Sequence, residues 1–258
     1  MSSNTSVVRA SFKGRAGCEL SARIDLPAGP ARAFAVFAHC FTCTKDVLAA
    51  RGIAAGLAAA GVGVLRFDFA GLGSSEGEFA NTNFSSNVED IVSAAVHLRD
   101  NFAAPTLLIG HSLGGAAVLA AAGDIPETRA VVTIGAPADV AHVLKYFGNS
   151  LEEINDKGEA RVMLAGRQFV IRRSFIADAE EYRLADRISS LGRALLVMHS
   201  PRDAVVGIEN ASKIFLAAKH PKSFVSLDDA DHLLSDHVAS AYAARVIVGW
   251  MSKYIPGA

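Results

Sequence analysis

The 258-residue chain is 51% hydrophobic and 20% charged, with 22 Gly and 8 Pro, a balance that supports a large buried core and excludes disordered or collagen-like structure. Its formal net charge of −1 leaves no global positive field to hold nucleic acid or anionic lipid, so neither nucleic acid nor a membrane is expected as a partner. The length suits a single α/β domain, residues 1–258, carrying one insertion.

The first fifteen residues hold no apolar stretch long enough for a signal-peptide core. An odd, sparse set of three cysteines does not read as a disulfide framework, and together these features predict a cytoplasmic protein. Residues 19–26 alternate strictly, with Leu20, Ala22, Ile24 and Leu26 on one face, and predict a half-buried antiparallel strand paired with residues 6–12. Continuous apolar runs follow at 33–38, 62–67, 106–110, 130–136, 194–199 and 223–227, the pattern of strands buried on both faces. Helical stretches at 46–60, 84–101, 113–122, 208–219 and 235–254 separate most of them, the second with Ser86 and Glu89 spaced as a capping box. This alternation predicts a mostly parallel eight-stranded sheet with helices on both faces and a ligand site at the carboxyl ends of the strands. The stretch 138–190 is too long for one connection and contains a hairpin-like piece, so it reads as a cap inserted over the sheet. Residues 101–123 lack Lys, Arg, Asp and Glu, but Pro105 and four glycines make a buried strand, turn and helix a better account than a membrane span.

Gly110-His111-Ser112-Leu113-Gly114 matches G-x-S-x-G, and its placement between a predicted strand and an Ala-rich helix is what a nucleophile elbow requires. A serine hydroxyl needs an imidazole base, itself oriented by a carboxylate. Asp203 and then His232 follow Ser112 in the chain, each just past a predicted strand. Asp139 is the competing acid, and His237 and His220 are weaker candidates for the base. Two backbone N–H groups are expected to stabilise an oxyanion, those of Leu113 and of Phe41 in the loop after 33–38. His39, at the end of that strand, reads as a structural hydrogen-bonder. His111 is grouped with the substrate-binding residues. Val140, Val143, Leu144 and Phe147 have helical spacing and either face Ser112 to limit an acyl pocket or only pack the cap onto the core. The crowded carboxylates around Asp228 and Asp236 have no recognised ligand spacing, so no metal and no other cofactor is expected.

These residues carry a family resemblance. GHSLGG, DFAGLGSSEG, HSPRD and DADH resemble α/β-hydrolases over nearly the whole chain. HCFTC, FANTNFSSNVED, IGAPAD and HPKSFVSLDDADHLL more narrowly resemble the hydrolase half of bacterial proteins fused to an OsmC-type domain, for which residues 1–258 leave no room. The usual His-Gly of the oxyanion loop is His39-Cys40 here. The resemblance implies a serine carboxylesterase that takes small acyl esters through an acyl-enzyme, with thioesters or amides as the alternative substrates. Cys40 and Cys43, as a C-x-x-C pair, keep open a thiol-disulfide redox protein, and a catalytically silent binding protein of the same fold is a third class. The partner implied is a small-molecule ester, and the sequence leaves open self-association into a homo-oligomer.

Overall fold

The computed structural model describes residues 5–255. The chain opens with an antiparallel hairpin, β1 (Ser6–Lys13) and β2 (Glu19–Leu26), in which Phe12 lies opposite Leu20. Then come β3 (Ala33–Ala38), α1 (Leu48–Ala59), β4 (Val62–Phe67), α2 (Phe84–Asn101), β5 (Leu107–His111), α3 (Leu113–Ala121) and β6 (Ala130–Ile134). After an insertion, β9 (Ala194–His199), α7 (Glu209–Ala217), β10 (Lys222–Ser226) and α8 (His237–Met251) complete the fold. The insertion holds a 3-10 helix (Val140–Tyr146), α4 (Ser150–Lys157), the antiparallel hairpin β7 (Glu159–Leu164) and β8 (Arg167–Arg172), α5 (Arg173–Glu181) and α6 (Leu184–Ser189).

The sheet has eight strands in the order β1-β2-β4-β3-β5-β6-β9-β10. Only β2 runs against the others, because it pairs antiparallel with both β1 and β4 while every remaining pairing is parallel. The strands β3, β4, β5, β6 and β9 are buried along their whole length, which is why they appear in the sequence as unbroken apolar runs. Alternate residues serve opposite faces: Ala35 and Phe37 pack with α1 and α8, and Phe34, Val36 and Ala38 pack with α2 and α3. Helix α3 is buried at all of its nine positions, and this accounts for the charge-free segment around it. Among the described residues no helix is long and apolar enough to cross a membrane.

One local expectation is corrected and a second is sharpened. The capping box of α2 joins Asn83 and Ser86, not Ser86 and Glu89: the Asn83 side chain accepts from the Ser86 N–H, and the Ser86 hydroxyl accepts from the Asn83 N–H. The helical spacing of 140–147 corresponds to a tighter 3-10 helix, Val140–Tyr146 with Phe147 as its C-cap, started by Asp139, whose carboxylate accepts from the Ala141 N–H at 3.0 Å.

Candidate active site

The turn between β5 and α3 is the tightest point of the fold. Ser112 has φ 55°, ψ −126°, a conformation that side-chain-bearing residues rarely adopt. It is held there by its N–H donating to the Ile134 carbonyl at 2.8 Å and its carbonyl accepting from the Gly115 N–H at 2.8 Å. Glycine is required on both sides: a Cβ on Gly110 would run into the Gly114 carbonyl, and one on Gly114 into the carbonyls of Ala38 and His39. The second contact brings the end of β3 against the start of α3. The Phe41 and Leu113 N–H groups are thereby left without a protein acceptor among the described residues.

His232, in the loop between β10 and α8, lies with Nε2 3.0 Å from the Ser112 hydroxyl oxygen, and its Nδ1–H donates to Asp203 Oδ2 at 2.7 Å. The other Asp203 oxygen accepts from the N–H groups of Val205 at 2.9 Å and Val206 at 2.8 Å. Burial alone would raise the Asp203 pKa, but the hydrogen bonds from His232 and from these amides outweigh it and hold the carboxyl below its ordinary value. The three residues singled out in the sequence therefore form one hydrogen-bonded chain. Asp139 is engaged as a helix cap, and the histidine hydrogen-bonded to Ser112 is His232, not His237 or His220.

His111, expected among the substrate-binding residues, is not part of the cleft lining. It is buried, its Nε2–H donates to the backbone carbonyl of His232 at 2.6 Å, and the two rings lie 5.2 Å apart. Burial foremost, with the neighbouring His232 adding to it, pushes its pKa down to about 4, so it is a neutral prop for the loop that carries the base. His39 is likewise buried and neutral, with burial pushing its pKa to about 4 and Nδ1–H donating to the Cys40 carbonyl at 2.8 Å.

The loop after β3 is fixed from three directions. Asp68 accepts from the Lys45 N–H at 2.6 Å, from the Lys45 ammonium at 2.5 Å and from the Ser74 N–H at 2.9 Å, so the glycine-rich stretch 71–77 is tied to this loop through one carboxylate. The buried Arg66 guanidinium bridges Asp25 of β2, at 2.7 Å, to the Lys45 carbonyl, at 2.7 Å. Cys40 and Cys43 are disulfide-bonded, with Cα atoms 5.2 Å apart, closing a small ring around Phe41 and Thr42. Thr42 has φ 62°, and its carbonyl accepts from Arg167 at the tip of the β7–β8 hairpin.

A cleft of about 400 Å³ opens above Ser112 and His232, walled by Phe41, Tyr146, Met163, Leu164, Val205 and Leu233. Among the described residues no carboxylate, lysine or arginine lines it. Val140, Val143, Leu144 and Phe147 lie outside it: the first three pack into the core beneath the insertion, and Phe147 sits behind Phe41 and against Phe175. Tyr146, Met163, Leu164, Val205 and Leu233 carry no motif that marks them as cleft walls, although two signals point to some of them. Val205 and Leu233 adjoin the acid and the base, and Met163 is the apolar residue at an exposed position of a strand whose other exposed positions are Glu159 and Arg161.

An eight-stranded, mostly parallel sheet with a serine on a strained strand-to-helix turn, backed by a histidine and a carboxylate, defines an α/β-hydrolase enzyme of the serine-hydrolase type. The chain belongs to the family described as serine aminopeptidase, S33, whose profile matches residues 29–161. The esterase domain of a Rhodothermus marinus protein is 46% identical, with a TM-score of 0.80 over 97% of this chain and 99% of that one. Est1E from Butyrivibrio proteoclasticus, solved with ferulic acid, shares the fold at 21% identity and a TM-score of 0.82, covering 95% and 99% of the two chains. Among curated relatives, mouse palmitoyl-protein thioesterase ABHD10, mitochondrial, is 33% identical over 150 residues, which are 55% of this chain and 49% of that protein. The match to YfhR of Escherichia coli O157:H7, 25% identical over 71% of this chain, spans 58% of the relative's length.

Proposed function

We propose that the protein is a serine carboxylesterase that cleaves small-molecule esters with uncharged acyl groups through an acyl-enzyme, with the inserted segment 138–190 acting as the cap of a single hydrolase domain. The observation that carries this reading is the Ser112–His232–Asp203 chain, with contacts of 3.0 and 2.7 Å, at the floor of an apolar cleft. His232 takes the Ser112 proton as the hydroxyl oxygen attacks the ester carbonyl, while Asp203 holds the imidazole in the Nδ1–H tautomer. The Phe41 and Leu113 N–H groups receive the developing oxyanion. The alcohol departs with the proton from His232, which then activates water to release the acid.

The cleft lining favours an ester over a peptide with a free amino terminus, because it offers no carboxylate to an α-ammonium group. The 46% identical esterase domain supports the same choice. The narrower likeness to the hydrolase half of OsmC-type fusion proteins rests on the sequence strings alone. The test is a panel of p-nitrophenyl esters and matching thioesters of graded acyl length, run on wild type and Ser112→Ala, with fluorophosphonate labelling of the wild type. Ester turnover that disappears in Ser112→Ala, with label on Ser112, supports the proposal; turnover that survives the substitution overturns it, and a preference for thioesters moves the substrate class.

A further inference from the structure

The peptide group between Val205 and Val206 is held at both ends. Its N–H, that of Val206, donates to Asp203 Oδ1 at 2.8 Å. Its carbonyl, that of Val205, accepts from the Tyr146 hydroxyl at 2.7 Å and from the Lys145 ammonium at 2.8 Å, with His142 Nε2 3.4 Å away. The donors come from the 3-10 helix of the inserted segment and the acceptor from the loop after β9, 59 or more residues later in the chain. A peptide group is planar and rigid, so fixing the direction of its carbonyl fixes the direction of its N–H. Hydrogen bonds that meet on one side of a peptide also polarise the donor on the other.

We infer that Tyr146 is a positioning residue: through the Val205–Val206 peptide it, with Lys145, orients the Asp203 carboxylate toward His232, so that the inserted segment takes part in the chemistry as well as walling the cleft. The inference rests on the reading of Asp203 as the acid. Tyr146 does two separable things. Tyr146 lines the cleft, and its hydroxyl donates to the Val205 backbone carbonyl. Tyr146→Phe removes only the second. Loss of one hydrogen bond of this kind, acting only through the alignment of the base, lowers kcat about 3- to 10-fold and leaves KM unchanged. The rate at which a small fluorophosphonate labels Ser112 falls by the same factor, because that rate reads activation of the nucleophile without filling the acyl side of the cleft. Tyr146→Ala, which also deletes the wall, raises KM in addition.

The deciding experiment is a double-mutant cycle with Asp203→Asn. If Tyr146 works through the carboxylate, Tyr146→Phe has no further effect on the residual activity of Asp203→Asn. Lys145→Met provides a second variant at an exposed site with the same expectation. An unchanged kcat in Tyr146→Phe, or a loss that persists in full in the Asp203→Asn background, overturns the inference. Full activity of Asp203→Asn alone is a different result, since it removes Asp203 as the acid and with it the reading on which the inference stands.

Discussion

The floor and the roof of the cleft are built on opposite principles. In the floor, α3 is buried at every position, Gly110 and Gly114 touch backbone with no room for a methyl group, and Ser112 is held in a strained conformation by main-chain bonds at 2.8 Å. In the roof, β7 buries every second residue and leaves Met163 62% exposed, while the hairpin meets the floor through the Arg167 contact to Thr42. Geometry in the floor is determined by backbone against backbone, which cannot adjust to substitution; geometry in the roof is determined by side chains, which can. Substitutions in the two regions should therefore differ in kind as well as in size.

The largest effect is expected at Gly114. Gly114→Ala drives a methyl group into the carbonyls of Ala38 and His39 and separates the two proposed oxyanion donors. Loss of one such donor costs about 10²–10³ in kcat, and ester hydrolysis at saturating substrate measures it. A Gly114→Ala enzyme within a few-fold of wild type would mean that the floor can adjust after all. Acid should next reveal the floor through stability. His39 and His111 have folded pKa values lowered to about 4 from an ordinary 6.5, so the stability they contribute is complete above 6.5 and is lost as pH falls through 4. His111→Gln keeps a donor for the His232 carbonyl but removes one titration, and urea midpoints measured between pH 7 and 4 should fall less steeply than in wild type. A parallel pair of curves would show that His111 does not drive acid unfolding.

In the roof, Met163→Glu should weaken kcat/KM for apolar esters by less than about 10-fold and leave acetate esters nearly unchanged, because it alters one side of an open wall. A uniform loss across all acyl lengths would place Met163 outside substrate contact. Reducing the Cys40–Cys43 bond should have the smallest effect, since Lys45–Asp68 and Arg167 hold the same loop independently of it. We expect kcat to change less than about 10-fold in the presence of a phosphine reductant, short of the loss of a whole donor. A hundredfold fall would show that the ring by itself sets the Phe41 N–H.

Periodicity carried most of the floor. The alternation of residues 19–26 and the unbroken runs of β3, β4, β5, β6 and β9 are direct records of half-buried and fully buried strands, and the elbow glycines mark a turn that needs them. The roof was less legible. Val140, Val143, Leu144 and Phe147 do form an apolar stripe, but the stripe describes what is buried beneath the insertion, and the residues that wall the cleft come from five separate segments with no common period. Ser86 and Glu89 have the spacing of a capping box, but Asn83 and Ser86 share that spacing one turn earlier, where the helix starts. The bond between Cys40 and Cys43 is local to a loop and leaves no trace in the overall count of cysteines.

The β1–β2 hairpin lies upstream of residue 29, where the match to the family profile begins. It nevertheless supplies Asp25 to the buried Arg66 guanidinium and the Ser21 carbonyl to the Asp68 N–H, which stands at the root of the anchor for the oxyanion loop. A chain trimmed to begin at residue 29 would retain every residue proposed to react, yet leave the buried Arg66 guanidinium with Asp46 and the Lys45 carbonyl and without its buried partner Asp25. The portable unit of this chemistry is thus longer than the segment by which its ancestry is recognised, and any transplant or fusion of it has to carry the hairpin along.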